Sequence, residues 1–99
     1  MIKFGILATL EAKTGKEHEV AAFLKSALPL VEAEPGTVSW FAIRISPTIF
    51  GIFDVFNDEA GRDAHLAGEV AKALMAKAPE IFSESPKIEK VDVLASKLG

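Results

Sequence analysis

Apolar and polar residues alternate through the first twelve positions, with Phe4, Ile6, Ala8 and Leu10 set against Lys3, Gly5, Thr9 and Glu11 and only Leu7 out of phase. A period of two predicts a β-strand over Met1–Ala12 with one buried face. Thr14-Gly15-Lys16-Glu17 then has the form of a capping box, in which the threonine hydroxyl and the glutamate carboxylate satisfy free amides at a helix start. Val20, Phe23, Leu24, Ala27 and Val31 follow at helical spacing and form one apolar face. Pro29 removes a backbone donor late in this helix and predicts a kink or a distorted last turn. Pro35-Gly36 ends it.

Two apolar runs come next, Val38–Ile45 and Ile49–Phe56, separated by Ser46-Pro47-Thr48. Pro47 cannot take the positive φ of a two-residue hairpin turn, so a three-residue connection is expected. Asn57 or Asp58 can cap a short helix to about Ala67, broken by Gly68. Helical spacing resumes over Val70–Phe82 through Val70, Leu74, Ala78 and Ile81, with Pro79 expected to distort the last turn. Pro86 precedes a final strand, Ile88–Leu94. The order β-α-β-β-α-β with right-handed crossovers predicts an α+β, ferredoxin-like domain over residues 1–99, a four-stranded antiparallel sheet with its helices on one face.

Pairing Ile45 with Ile49 places residues whose numbers sum to 94 opposite one another. Arg44 then faces Phe50, Ala42 faces Ile52, Trp40 faces Asp54 and Val38 faces Phe56, all on one side of the sheet. The other side holds Phe41, Ile43, Ile45, Ile49, Phe53 and Val55, with Ser39 its only polar residue. Arg44 and Asp54 are four strand positions apart, roughly 13 Å, too far to pair directly. Because Trp40–Ile43 and Ile49–Phe53 are apolar on both parities, both faces of the sheet should be covered. Helices cover one, and a second copy's sheet is the simplest cover for the other.

Composition supports that expectation. The chain is 49% apolar, with a mean hydropathy of +0.28, more than a small solitary domain requires. Lys25, Glu32 and Arg44 interrupt every run that approaches the roughly 20 residues of a spanning helix, so no membrane segment is expected. Phe4–Leu10 is too short, and too soon stopped by Glu11, for a secretory leader. With no cysteine there is no disulfide, thiolate metal site or cysteine nucleophile, and a cytoplasmic protein is expected. The net charge of −3 comes from interspersed acids and bases, which gives nucleic acid no basic stripe to bind.

Chemistry-bearing residues are few. His18 falls between Glu17 and Glu19, away from the apolar helix face, and is expected to be solvated. His65 lies on the short helix, four residues after Gly61 and five after Ala60, whose small side chains allow close approach to the sheet. Arg44, Asp54 and Trp40 on an otherwise apolar face suit either packing or a small-ligand pocket with a few converging polar groups. There is no phosphate loop, dinucleotide fingerprint, nucleophile elbow or second buried histidine for an iron triad. Any enzyme built on these residues is expected to use no metal or nucleotide cofactor.

Two segments carry a family resemblance that spans nearly the whole chain. One is the Ala33-Glu34-Pro35-Gly36 turn into an aromatic strand ending near Arg44; the other is the block from Phe53 and Asp54 through Phe56 and Asp58-Glu59 to His65-Leu66. With this spacing the chain resembles the antibiotic biosynthesis monooxygenase domain family, small dimeric α/β-barrel proteins that include quinol monooxygenases. It departs from the family pattern in holding Phe56 at the usual tryptophan, Asp54 at the usual glutamate and Trp40 at a common tyrosine position. Phe56 keeps a stacking surface and loses the indole donor. The resemblance implies a homodimer joined through the sheet face and cofactor-independent oxygenation of a small phenol, hydroquinone or anthrone. It implies His65 as proton acceptor or oxyanion partner, Arg44 as electrostatic stabiliser and Asp54 as orienter of His65, with Trp40, Phe56 and Phe23 as substrate-binding walls. Haem degradation, hosted by the same barrel, fits poorly, because the first strand has no asparagine and Phe56 replaces the distorting tryptophan. The stronger alternative is a non-catalytic or stress-associated dimer that sequesters a small aromatic metabolite in the same pocket.

Overall fold

The computed structural model describes residues 2–99. Its elements are β1 (Phe4–Glu11), α1 (Glu17–Ser26), α2 (Leu28–Glu32), β2 (Thr37–Arg44), β3 (Ile49–Phe56), α3 (Glu59–Leu66), α4 (Glu69–Ile81) and β4 (Lys87–Asp92). The four strands form one antiparallel sheet in the order β2-β3-β1-β4. This is the ferredoxin-like arrangement, with β2 and β4 at the sheet edges flanking the central pair β3 and β1. As an isolated chain the sheet is open, not closed into a barrel.

The strand parity read from the sequence places the core. Ile6, Ala8 and Leu10 of β1 and Phe50 and Ile52 of β3 point to the helical side. There they pack on Val20 and Leu24 of α1 and Leu74, Ala78 and Ile81 of α4. Ala27, Val31 and Val70 form a smaller cluster, and Trp40 bridges the two. The hairpin register has the expected sum from Trp40–Asp54 to Arg44–Phe50. It closes through Ile45 N–H to Ile49 O at 2.8 Å across the three-residue loop, and Ser46 Oγ accepts from Ile49 N–H at 3.1 Å.

Several local expectations are corrected. Thr14 does not cap α1; Lys16 is the N-cap and makes no side-chain cap bond. Lys16 N–H instead closes a turn on Lys13 O at 2.9 Å, with Gly15 at φ +86. Thr14 and Gly15 are thus the centre of a glycine-dependent turn, and the helix starts two residues later than a threonine cap would set it. Val38 does not oppose Phe56. The register shifts between Thr37 and Ser39, so Thr37 takes that place and Val38 is the extra residue of a bulge. The last strand stops at Asp92, short of Leu94, with Val93 N–H donating to Lys3 O at 2.8 Å just past the ladder. Of the first predicted strand, Ile2 and Lys3 precede the ladder and Met1 lies outside the described residues.

Pro29 has a stronger effect than a kink. Ala27 closes α1 and opens α2, and Pro29 occupies the first turn of the new helix, where its missing N–H is harmless. Pro79 lies inside α4, which nevertheless continues to Ile81. Lys13 N–H to Ile81 O and Ser83 N–H to Glu11 O, both 2.9 Å, tie the end of α4 to the end of β1.

The face away from the helices is apolar and uncovered within the chain. Phe41 is 56% exposed, Ile43 44% and Ile45 58%. No helix among the described residues is long and apolar enough to cross a membrane.

Candidate active site

His65 lies between two carboxylates. Its Nε2 is 2.8 Å from Asp54 Oδ2, and its Nδ1 is 2.6 Å from Glu34 Oε1. Three elements supply the trio. Asp54 is on β3, opposite Trp40, and is 1% exposed. His65 is in the last turn of α3, whose start is fixed by Asp58 Oδ1 accepting Gly61 N–H at 2.7 Å. Glu34 stands in the turn after α2, where its Oε1 also accepts from Thr37 Oγ1 at 2.8 Å.

Close backbone approach brings these elements together. A Cβ on Gly36 would lie 3.1 Å from Gly61 Cα, and one on Gly61 would lie 3.1 Å from Gly36 O. α3 therefore rests directly on the Pro35-Gly36 turn, and the imidazole reaches both carboxylates. The sequence expectation that Ala60 and Gly61 allow close approach to the sheet is corrected: Gly61 meets this turn, and Ala60 is exposed. Phe56, fully buried, packs on the imidazole with ring centroids 5.4 Å apart at 44°.

Burial by itself would lower the His65 pKa, but the Asp54 and Glu34 carboxylates outweigh that effect and raise it above 6.5. The charged form is thus favoured more than in a free histidine, with Nδ1 on Glu34 and Nε2 facing Asp54. Neither Asp54 oxygen has a well-aligned hydrogen-bond donor among the described residues, although Oδ2 faces the ring at 2.8 Å. Trp40 Nε1 is likewise buried without a partner. Both groups lie on the helical side of the sheet, from the facing strand positions Trp40 and Asp54.

The trio meets solvent at a cleft of about 350 Å³. Leu30, Ala33 and Pro35 form one wall, Gly61, Ala64 and Gly68 the other, and Glu34 and His65 the polar floor. Asp54 and Phe56 stand behind His65, away from the opening. Among the described residues, no cluster of histidine and acidic side chains is placed to hold a metal ion.

The structure thus brings together His65, Asp54 and Phe56, with Trp40 across the strand from Asp54. Arg44 and Phe23 are not in this group. Arg44 is exposed at the opposite end of the hairpin, stacked on Phe50, and Phe23 is half-buried against the core on the α4 side of α1, near Lys77 and Ile81. Sequence reading missed Glu34, which falls in a turn with no periodicity to mark its direction. It also missed Arg62, buried on α3 with Nη1 3.5 Å from Gly5 O and 3.4 Å from Val91 O and its guanidinium over the Phe4 ring.

No family model matches the chain, and no curated protein is similar to it. Among solved structures, the NE2512 protein of unknown function from Nitrosomonas europaea is 55% identical over 100% of this chain and 96% of its own, with a TM-score of 0.97. The chain belongs to the NE2512 family. A candidate antibiotic biosynthesis monooxygenase from Nitrosomonas europaea is 15% identical, over 93% of this chain and 99% of its own, with a TM-score of 0.81. One from Caulobacter crescentus is 20% identical, over 95% and 92%, with a TM-score of 0.80. The NE2512-family chain therefore has the fold of the antibiotic biosynthesis monooxygenase domain, as its Phe53–Leu66 block implied.

Proposed function

We propose that this chain is a cofactor-independent monooxygenase of a small phenol, hydroquinone or anthrone bound in the cleft beside Glu34 and His65. The observation that carries this reading is the continuous Glu34–His65–Asp54 chain, which joins an apolar cleft to a buried carboxylate. Glu34 is the member on the open side, with 19% of its side chain exposed, and accepts the substrate proton. His65, whose charged form its neighbours favour, is the cationic partner of the resulting anion. Asp54 keeps the imidazole oriented, and Trp40 and Phe56 hold water away from its inner side.

The chemistry requires only an ionised substrate and dioxygen. An electron-rich carbanion or phenolate gives one electron to dioxygen, and recombination forms a carbon–oxygen bond as a hydroperoxide. For an anthrone-like CH₂, loss of water leaves a carbonyl. The net change is CH₂ + O₂ → C=O + H₂O, with the substrate's own carbon–hydrogen electrons reducing the second oxygen atom. The same reading has the chain as a homodimer, in which Phe41, Ile43 and Ile45 are buried against a second sheet.

Oxygen consumption under air with a panel of anthrones and hydroquinones tests the oxygenase. The reading expects product formation that is lost in Glu34→Gln and in His65→Gln. Uptake unchanged in both variants, or absent across the panel, counts against it. One observation favours a second reading, that of a non-catalytic binder: both imidazole nitrogens already face an acid. In that case a panel compound raises the unfolding temperature and is recovered unchanged.

A further inference from the structure

A second cleft lies at the other end of the hairpin, between α1 and the end of β2. It is an open cleft of about 240 Å³ between Ala21, Leu24 and Lys25 of α1 and Ala42, Ile43, Arg44 and Phe50 of the sheet. Its floor is apolar, since Phe50 and Leu24 are almost fully buried beneath it. Two cations stand on its rim and no acid lines it.

Those cations differ from most others on the surface. Lys16, Lys72, Lys77, Lys87 and Lys90 each pair with a nearby carboxylate. Lys25 and Arg44 pair with none among the described residues. Arg44 is also held in place, its guanidinium carbon 4.9 Å from the centroid of Phe50 and its Nη2 donating to Pro47 O at 3.2 Å. One bond occupies one of the five N–H donors, leaving the others on a fork whose orientation is already set. An ordered guanidinium beside a second cation, above an apolar floor, is complementary to a carboxylate attached to an apolar body.

We infer that the Lys25–Arg44 cleft binds a small organic carboxylate, its charged end on the Arg44 fork and Lys25 and its apolar body against Leu24, Ala42 and Phe50. The volume is below the roughly 300–1,000 Å³ usual for drug-sized ligands, which favours an acid of one ring or a short chain. The site is separate from the Glu34–His65 cleft and stands whether or not that cleft oxygenates a substrate.

Benzoate is the probe, with isosteric benzamide as its uncharged control, followed by amide chemical shifts on the full chain. The inference expects saturable benzoate shifts at Lys25, Ala42, Arg44 and Phe50 and none at His65. Affinity should fall about tenfold for benzamide and for Arg44→Gln, as losing one charge-assisted bond of about 1.4 kcal/mol would give, and recover partly in Arg44→Lys. Lys25→Gln should weaken benzoate less than Arg44→Gln, since the lysine is not held in place. Both positions are exposed, so the variants keep the fold, and an unchanged shift pattern elsewhere verifies it. Equal affinity for benzoate and benzamide, an Arg44→Gln variant that binds like the parent, or no saturable shift overturns the inference.

Discussion

Glu34 and His65 are 31 residues apart in the chain and 2.6 Å apart in the fold, the closest polar contact of the candidate site. The acid comes from a turn and the base from a helix end. Their meeting depends on a third contact, between Gly36 and Gly61, that involves no side chain at all.

Stability should depend on pH through His65. Its folded pKa is raised, so its contribution is fully present below the unfolded value of about 6.5 and is lost as pH rises through the folded value. Urea unfolding of the parent should therefore give a lower stability at pH 9 than at pH 6. His65→Gln should flatten that slope, since the residue that binds the extra proton is gone. Loss of stability below about pH 5 belongs to the carboxylates and should remain in the variant.

Removing the imidazole altogether leaves Asp54 buried and uncompensated. His65→Ala should cost about 3–5 kcal/mol, a large share of the 5–15 kcal/mol typical of a domain. Asp54→Asn should be milder, because Glu34 still neutralises the ring, and it should lower the His65 pKa. Imidazole chemical shifts followed through a pH titration read that change directly.

Gly36→Ala should destabilise by about 1–3 kcal/mol, because its new methyl meets helix backbone that cannot rotate away. A structural role alone would move only the unfolding midpoint. Here the His65 titration should shift as well, since separating α3 from the turn lengthens the Nδ1–Oε1 contact.

Asp58→Ala removes the acceptor of Gly61 N–H and should cost about 1 kcal/mol by chemical denaturation. Asp58→Ser should restore most of it.

Phe41→Lys places a charge on the open apolar face without disturbing the core, as Phe41 is more than half exposed. Sedimentation should show a dimer for the parent and a monomer for the variant. A parent that is monomeric at every concentration removes the proposed interface.

The sequence shows the sheet well because strand register follows from parity and one hairpin. Once Ile45 is set against Ile49, the pairings from Trp40–Asp54 to Arg44–Phe50 follow, and the helix faces of Val20–Leu24 and Val70–Ile81 are read from spacing alone. It fails where a backbone detail has no periodic signature. The Lys13–Lys16 turn displaces the helix start, and the Val38 bulge uncouples Thr37 from the ladder. The candidate site was half visible: Asp54 and His65 stand on regular elements whose facing can be deduced. Glu34 stands in a turn, and its direction is fixed only when α3 lands on Gly36.

That landing separates two tasks on the chain. The spacing of acid and imidazole is set by main chain against main chain, whereas one cleft wall is made of side chains of α2 and its turn, Leu30 and Ala33 among them. Relatives can therefore enlarge or narrow the cleft by single substitutions in α2 while the Glu34–His65 pair keeps its geometry, so under the proposed function substrate range and acid–base chemistry are free to diverge independently.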